Sequence, residues 1–263
     1  FIGKNLYIYF KKKKLKTSIC SFDNIKKDFK KLYKFDYIIN CSSNLSYITK
    51  KYLEKNDHDL FISKKIKNQS NRMIFLSSRK VYKNKYNLDE KSLIQPSDNY
   101  SKNKYITEKK ITNILKNRLL ILRVSNIIGL PNNNQSKRKV HKTFLDIFRE
   151  NILKGFILKH DKIYKDFLGL QKFAEILHHL ILKNSSGDTF NVSLGKKVYL
   201  KQIISWLNYH NKKKIIIKDL NIKNYNNDSF TLNNKKLMKY IKIKNNVGEL
   251  RKECIKISKY LFK

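Results

Sequence analysis

Three cysteines, Cys20, Cys41 and Cys254, are all the sequence holds. They are odd in number and far apart, which excludes a disulfide framework or a cysteine metal cluster and fits a reducing cytoplasm. No apolar run approaches the roughly 20 residues that a membrane span needs, and the chain is read without a signal peptide. The histidines, His178 and His179 included, lack the spacing of a zinc site, so no metal is expected. Arginine is scarce too: seven of the 59 basic residues are Arg, beside one Ala (Ala174), two Pro and seven Gly. Lys, Asn, Ile, Tyr and Phe have AT-rich codons, whereas Ala, Gly, Pro and Arg mostly do not. The formal charge of +39, which by itself would point to a nucleic-acid partner, is therefore read as compositional drift. Runs such as Lys11 to Lys14 and Lys212 to Lys214 are read as solvated helix ends or turns.

What is present is a folded chain. With 263 residues, 41% of them hydrophobic, it can bury a large core as one α/β domain, alone or with a smaller appendage. Strand-like runs alternate with helical stretches from 15 to 125, the pattern of a doubly wound parallel sheet. Strands are expected near Lys16 to Ser21, over Phe35 to Asn40, in the run Met73 to Leu76, and over Leu119 to Ser125. Helices are expected from Asp23 or Asn24 to about Tyr33 and across 44 to 68.

The stretch 72 to 108 carries the chemistry. Its apolar strand delivers Ser77 and Ser78, and Asp98 or Ser97 can cap a helix that places Tyr100 and Lys104 one turn apart on one face. A free phenol, with a pKa of about 10, is too weak an acid to serve as a base at neutral pH, but an adjacent ammonium favours the phenolate. On this reading Lys104 would supply that charge, Ser78 would hold a substrate oxygen, and Tyr100 would move its proton while a nicotinamide ring carried hydride. The spacing alone is weak: Tyr-x-x-x-Lys occurs seven times here, from Tyr7, Tyr9, Tyr47, Tyr100, Tyr105, Tyr209 and Tyr240.

The surroundings single out Tyr100. IFLSSRKVY followed by PSDNYSKNKYITEKKI resembles the extended short-chain dehydrogenase/reductase family, the NAD-dependent epimerases and dehydratases of nucleotide sugars. The resemblance implies a Rossmann-type doubly wound parallel sheet with a smaller C-terminal substrate-binding part. Residues 1–150 would mainly bind NAD or NADP, and residues 151–263 mainly the sugar nucleotide, with segments near 165–195 returning to the main domain.

Block by block, FIGKNLYIYF is similar to the end of a glycine-rich nucleotide loop, with Gly3 as the glycine that lets helix and strand pack closely. The first strand and two earlier glycines of that fingerprint do not precede it, so the sequence reads as an N-terminally truncated piece that would bind its cofactor poorly. FDYIINCSS resembles the third or fourth parallel strand, and Cys41 and Ser42 stand where small residues pass under the cofactor. The short interval before Asp36 leaves Asp23 as a candidate for the ribose contact. LLILRVSNIIGLPN resembles the block bordering nicotinamide and sugar, which places Val124 beside the nicotinamide and Asn126 beside the sugar. KDFLGLQKFAEILHHLI, GDTFNVSLGKKVYLKQIISWL and DSFTLNNKKLMKYI resemble later blocks in the expected order, the last with a helix capped by serine or aspartate.

Dehydration is disfavoured, because Arg79 and Lys80 occupy the two places after the serine where dehydratases carry an Asp-Glu pair. What remains is an NAD(P)-dependent nucleotide-sugar epimerase or keto-reductase in polysaccharide biosynthesis. The resemblance adds a possible homodimer, while the cysteines, the composition and the lack of long apolar runs are read as a cytoplasmic enzyme with no specific nucleic acid and no membrane partner. Two other readings stay open: a non-catalytic dinucleotide-binding scaffold, and a basic polyanion-binding protein with Lys on one face.

Overall fold

The computed structural model describes residues 1–130, 144–159, 162–212, 216–219 and 229–262. The first half of the chain runs through α1 (Ile2–Lys12), α2 (Phe22–Lys27), β1 (Tyr37–Ile39), α3 (Leu45–Thr49), α4 (His58–Lys65), β2 (Arg72–Ser78), α5 (Asn99–Leu115), β3 (Leu119–Val124) and β4 (Asn126–Ile128). After it come α6 (Phe144–Leu153), β5 (Phe156–Lys159), β6 (Tyr164–Lys165), β7 (Phe167–Gly169), α7 (Leu170–Leu182), β8 (Asp188–Val192), β9 (Val198–Tyr199), α8 (Leu200–Leu207), β10 (Ile216–Asp219), α9 (Lys235–Ile241) and α10 (Val247–Leu261).

The main sheet has the order β1-β2-β3-β8, and every pairing in it is parallel. Successive strand residues point to opposite faces, so the continuous apolar runs serve two cores. Ile74, Leu120, Leu122 and Val124 pack with Leu6 and Phe10 of α1, Phe173 and Leu177 of α7 and Leu237 of α9. Met73, Phe75, Leu119 and Ile121 pack on the other face with Ile25, Leu60, Ile62, Ile111 and Leu115 from α2, α4 and α5. Helices cover both faces, which is the doubly wound arrangement. Each fully buried side chain such as Phe75 contributes about 1.5–3 kcal/mol through the area removed from water. A third core joins Ile128, Phe148, Phe167, Val198, Ile203, Leu207, Leu250 and Ile257.

One carboxylate ties separate loops of this later part together. Asp166, fully buried, accepts the amides of Leu194 at 3.0 Å, Gly195 at 3.1 Å and Leu232 at 3.1 Å.

Three local expectations are corrected. Residues 16 to 21 form no strand: half-buried Leu15 and Thr17 imitate strand alternation, but Ile19 is exposed and, among the described residues, no strand pairs with the stretch. The stretch from 44 to 68 is two short helices rather than one, because Asn44 caps α3 by accepting the Ser46 amide and Asp57 caps α4 by accepting that of Leu60. Each cap is a start signal. The late helix, α9, begins after Asn234 without a side-chain cap; Ser229 instead accepts the Tyr164 amide. Asp228, like Lys213 and Lys214, lies outside the described residues.

Candidate active site

The site forms at the C-terminal ends of β1, β2 and β3, where open parallel sheets hold their ligands. Register sets Ser77 opposite Arg123 and Ser78 opposite Val124. Ser78 ends β2 in extended backbone, and its hydroxyl accepts the Lys80 amide at 3.2 Å, which leaves its proton to donate.

Asp98 starts α5. Its carboxylate accepts the Ser101 amide at 2.7 Å while the Ser101 hydroxyl accepts the Asp98 amide, a capping box worth about 1 kcal/mol. Burial opposes the Asp98 charge, but the bonds from Lys80 and Ser101 outweigh it and draw its pKa down to about 2. Asp98, not Ser97, is thus the cap, and from it Tyr100, Lys104 and Glu108 follow at one-turn spacing on the face toward β2. Tyr100 is half-buried and lies under the Lys80 ammonium, 5.9 Å from its ring centroid.

Lys104 is buried between the rings of Phe75 (4.6 Å) and Tyr47 (5.6 Å), and its Nζ lies 3.6 Å from Oδ2 of Asp59. Burial works against the Lys104 charge, but Asp59, Tyr100 and Asp57 outweigh it, and its pKa is raised. The charged form of the lysine is therefore favoured, one turn from Tyr100.

Glu108 has a structural task. It accepts the Ser77 hydroxyl and is gripped in a two-point fork by Arg123, Nε to Oε1 at 3.1 Å and Nη2 to Oε2 at 2.7 Å. Arg123 also donates to the Tyr82 hydroxyl, which donates to Asn191 on β8. This chain of bonds fixes α5 on β2, β3 and β8. Sequence reasoning missed the pairing, although an arginine inside the otherwise apolar run LLILRV signals one: a buried guanidinium needs a carboxylate.

Among the residues assigned to the cofactor, Gly3 and Cys41 meet, since a Cβ built on Gly3 would lie 3.2 Å from the Cys41 Cβ. Ser42 is held by Asn40, which accepts its amide at 3.0 Å and its hydroxyl at 2.7 Å, and by His58, whose Nδ1 is 2.9 Å from the Ser42 Oγ. The first turn of α1 carries no acidic residue that would repel an anion at the positive end of the helix dipole. These features fit a dinucleotide pyrophosphate. Asp23 is exposed in the first turn of α2. Val124 ends β3 and Asn126 begins β4.

A cleft of about 680 Å³ opens between the turn after Ser78 and the start of α5, with Arg79, Lys80, Gln95, Asp98 and Lys102 among its walls. Arg79 stacks on Phe230 at 3.8 Å, and Lys80 pairs with Asp98 at 2.8 Å. Among the described residues no group of three or more His, Cys, Asp or Glu could hold a metal, and no helix is long and apolar enough to cross a membrane.

The family model described as "NAD dependent epimerase/dehydratase family" matches residues 8–193. No curated protein sequence is a significant match. Solved structures are similar in fold. UDP-N-acetylglucosamine 4-epimerase from Methanobrevibacter ruminantium M1, in complex with UDP-N-acetylmuramic acid, is 19% identical, with 89% of this chain and 79% of that one covered and a TM-score of 0.71. RMD from Pseudomonas aeruginosa, complexed with NADPH, is 16% identical over 99% of this chain and 94% of that one, with a TM-score of 0.72. UDP-glucuronic acid 4-epimerase from Bacillus cereus, in complex with NAD, is 15% identical over 93% and 79% of the two chains, with a TM-score of 0.67.

Proposed function

Because the chain belongs to the NAD-dependent epimerase/dehydratase family, we propose that it binds NAD or NADP and epimerises or reduces the sugar of a nucleotide sugar. The observation that carries this reading is the buried, charge-paired Lys104 one turn from Tyr100, at the end of the strand that delivers Ser78. The structures similar in fold include complexes with NAD, with NADPH and with a UDP-sugar.

When bound, the nicotinamide supplies hydride transfer to or from a sugar carbon. The chain's own residues do the rest. Ser78 donates its hydroxyl proton to the substrate oxygen, and Tyr100 takes or returns the proton of that oxygen. Lys104, held as a cation by Asp59, places a positive charge one turn from Tyr100. Gly3, Cys41 and Ser42 form the cradle for the pyrophosphate, Val124 lies beside the nicotinamide, and Asn126 faces the sugar. Arg79 and Lys80, cations held in place by Phe230 and Asp98, cannot act as the acid and base of a dehydration.

The test is to titrate the protein with NAD(H) and NADP(H) by fluorescence and offer it a panel of nucleotide sugars. Interconversion of two sugars without net redox marks an epimerase, and consumption of reduced cofactor marks a reductase. Tyr100→Phe should slow turnover about 10²- to 10⁴-fold with cofactor affinity retained. Undiminished activity in that variant removes Tyr100 from the chemistry, and a protein that binds neither cofactor is not this enzyme.

A further inference from the structure

Asp59 was not singled out by its sequence context, yet among the described residues it is the carboxylate paired with the Lys104 ammonium. It lies in the first turn of α4, 6% exposed at the side chain, and its two oxygens serve different elements. Oδ2 is the counter-charge of Lys104 at 3.6 Å, and Oδ1 accepts Nδ2 of Asn40 at 2.9 Å. Asn40 in turn shapes the Ser42 loop through the Ser42 amide, hydroxyl and carbonyl. A single side chain thus joins the proton-transfer helix to the loop assigned to the dinucleotide.

From this geometry we propose that Asp59 is a positioning residue, which fixes the Lys104 ammonium beside Tyr100 and couples its place to the Asn40–Ser42 loop. The inference rests on the reading of Tyr100 as acid/base. A lysine has four flexible carbons and a strongly hydrated head, so a buried one without a counter-ion loses its proton or swings toward water. The Phe75 and Tyr47 rings attract the cation but do not fix its position along the helix axis. Asp59 does.

The other charged groups around Asp59 are already committed. Asp57 accepts the Leu60 amide and the Tyr52 and Thr107 hydroxyls. His58 bonds Ser42 and stacks on Phe22, and burial pushes its pKa down to about 4, so it is neutral through the working range. Burial raises the Asp59 carboxyl to about 6. Below that pH Lys104 loses its counter-charge, and activity should fall on the acid side for that reason.

Three variants decide the matter: Asp59→Asn, Asp59→Glu and Lys104→Met. In the cofactor and turnover assays, Asp59→Asn should lower kcat on the order of tenfold or more through lost positioning and abolish the acid limb near pH 6. Asp59→Glu should recover part of the rate and keep an acid limb. Wild-type kcat and an unchanged limb in Asp59→Asn overturn the proposal. If that variant does not fold, the limb of Asp59→Glu decides instead: a displaced limb supports the proposal and an unmoved one sinks it. Urea unfolding of Asp59→Asn, Lys104→Met and their double variant reads the pair without any cofactor. Additive losses mean that Asp59 does not hold Lys104, even if the wild type proves active. Coupled losses in a wild type that binds no cofactor would instead retain the pair and discard the enzymatic reading.

Discussion

Gly3 and Cys41 touch across the start of α1 and the end of β1, with 3.2 Å between the Cys41 Cβ and the place a Gly3 Cβ would take. That distance is tighter than ordinary van der Waals contact, so a methyl group at position 3 must push the helix start and the loop apart by a few tenths of an ångström. Gly3→Ala should therefore weaken dinucleotide binding about tenfold, or about 1.4 kcal/mol, as read by NADH fluorescence titration. Cys41→Gly in the same chain removes the opposing carbon and should restore part of the affinity. Equal affinity of Gly3→Ala and wild type would show that the close approach does not shape the cradle.

The Arg123–Glu108 fork is buried at both ends. Arg123→Met strands the Glu108 carboxylate and removes a donor from the Tyr82 hydroxyl, and should cost about 3–5 kcal/mol in urea unfolding. Arg123→Met combined with Glu108→Gln should cost less than Arg123→Met alone, because the orphaned charge is gone. A double variant weaker than the single one would mean that the fork is a net source of stability.

Glu253 of α10 lies beside a hollow of about 390 Å³ and accepts the Leu170 amide at 3.0 Å and the Gln171 amide at 3.4 Å, serving the start of α7 from another helix. Burial lifts its carboxyl to about 7, above the ordinary 4.5, although the two amides favour the charge. A raised folded-state value means that the contribution is complete below the ordinary pKa and fades as pH rises through 7. Glu253→Gln cannot ionise and keeps an acceptor, so it should gain on wild type by on the order of 2 kcal/mol between pH 5 and pH 8. Unfolding curves at the two pH values check this, and a difference between the two proteins that does not move with pH would contradict it.

The parts of the fold legible in advance were those whose signals are local. Met73 to Leu76 and Leu119 to Val124 are continuous apolar runs because both faces of a parallel strand are covered, and Asp98 caps α5 with the residue three places on. The stretch 16 to 21 misled because half-buried alternation at Leu15 and Thr17 says nothing about whether a partner strand lies alongside. The Ser78, Tyr100 and Lys104 set could be picked out from seven equivalent spacings only through its neighbours. Asp59 could not be found that way: nothing within its own helix reports that Lys104, far along the chain, folds against it. Arg123 and Glu108 were readable individually, as a charge inside an apolar strand and an acid one turn after Lys104, but their pairing is a product of the β2–β3 register.

Ser78, Tyr100, Lys104, Glu108, Arg123 and Val124 all fall within one contiguous crossover from β2 through α5 to β3. The groups proposed for proton transfer and the ion pair that fixes α5 on the sheet thus share one supersecondary unit. The third core is built from elements after β3 and β4, apart from Ile128, so substitutions there lie outside that unit.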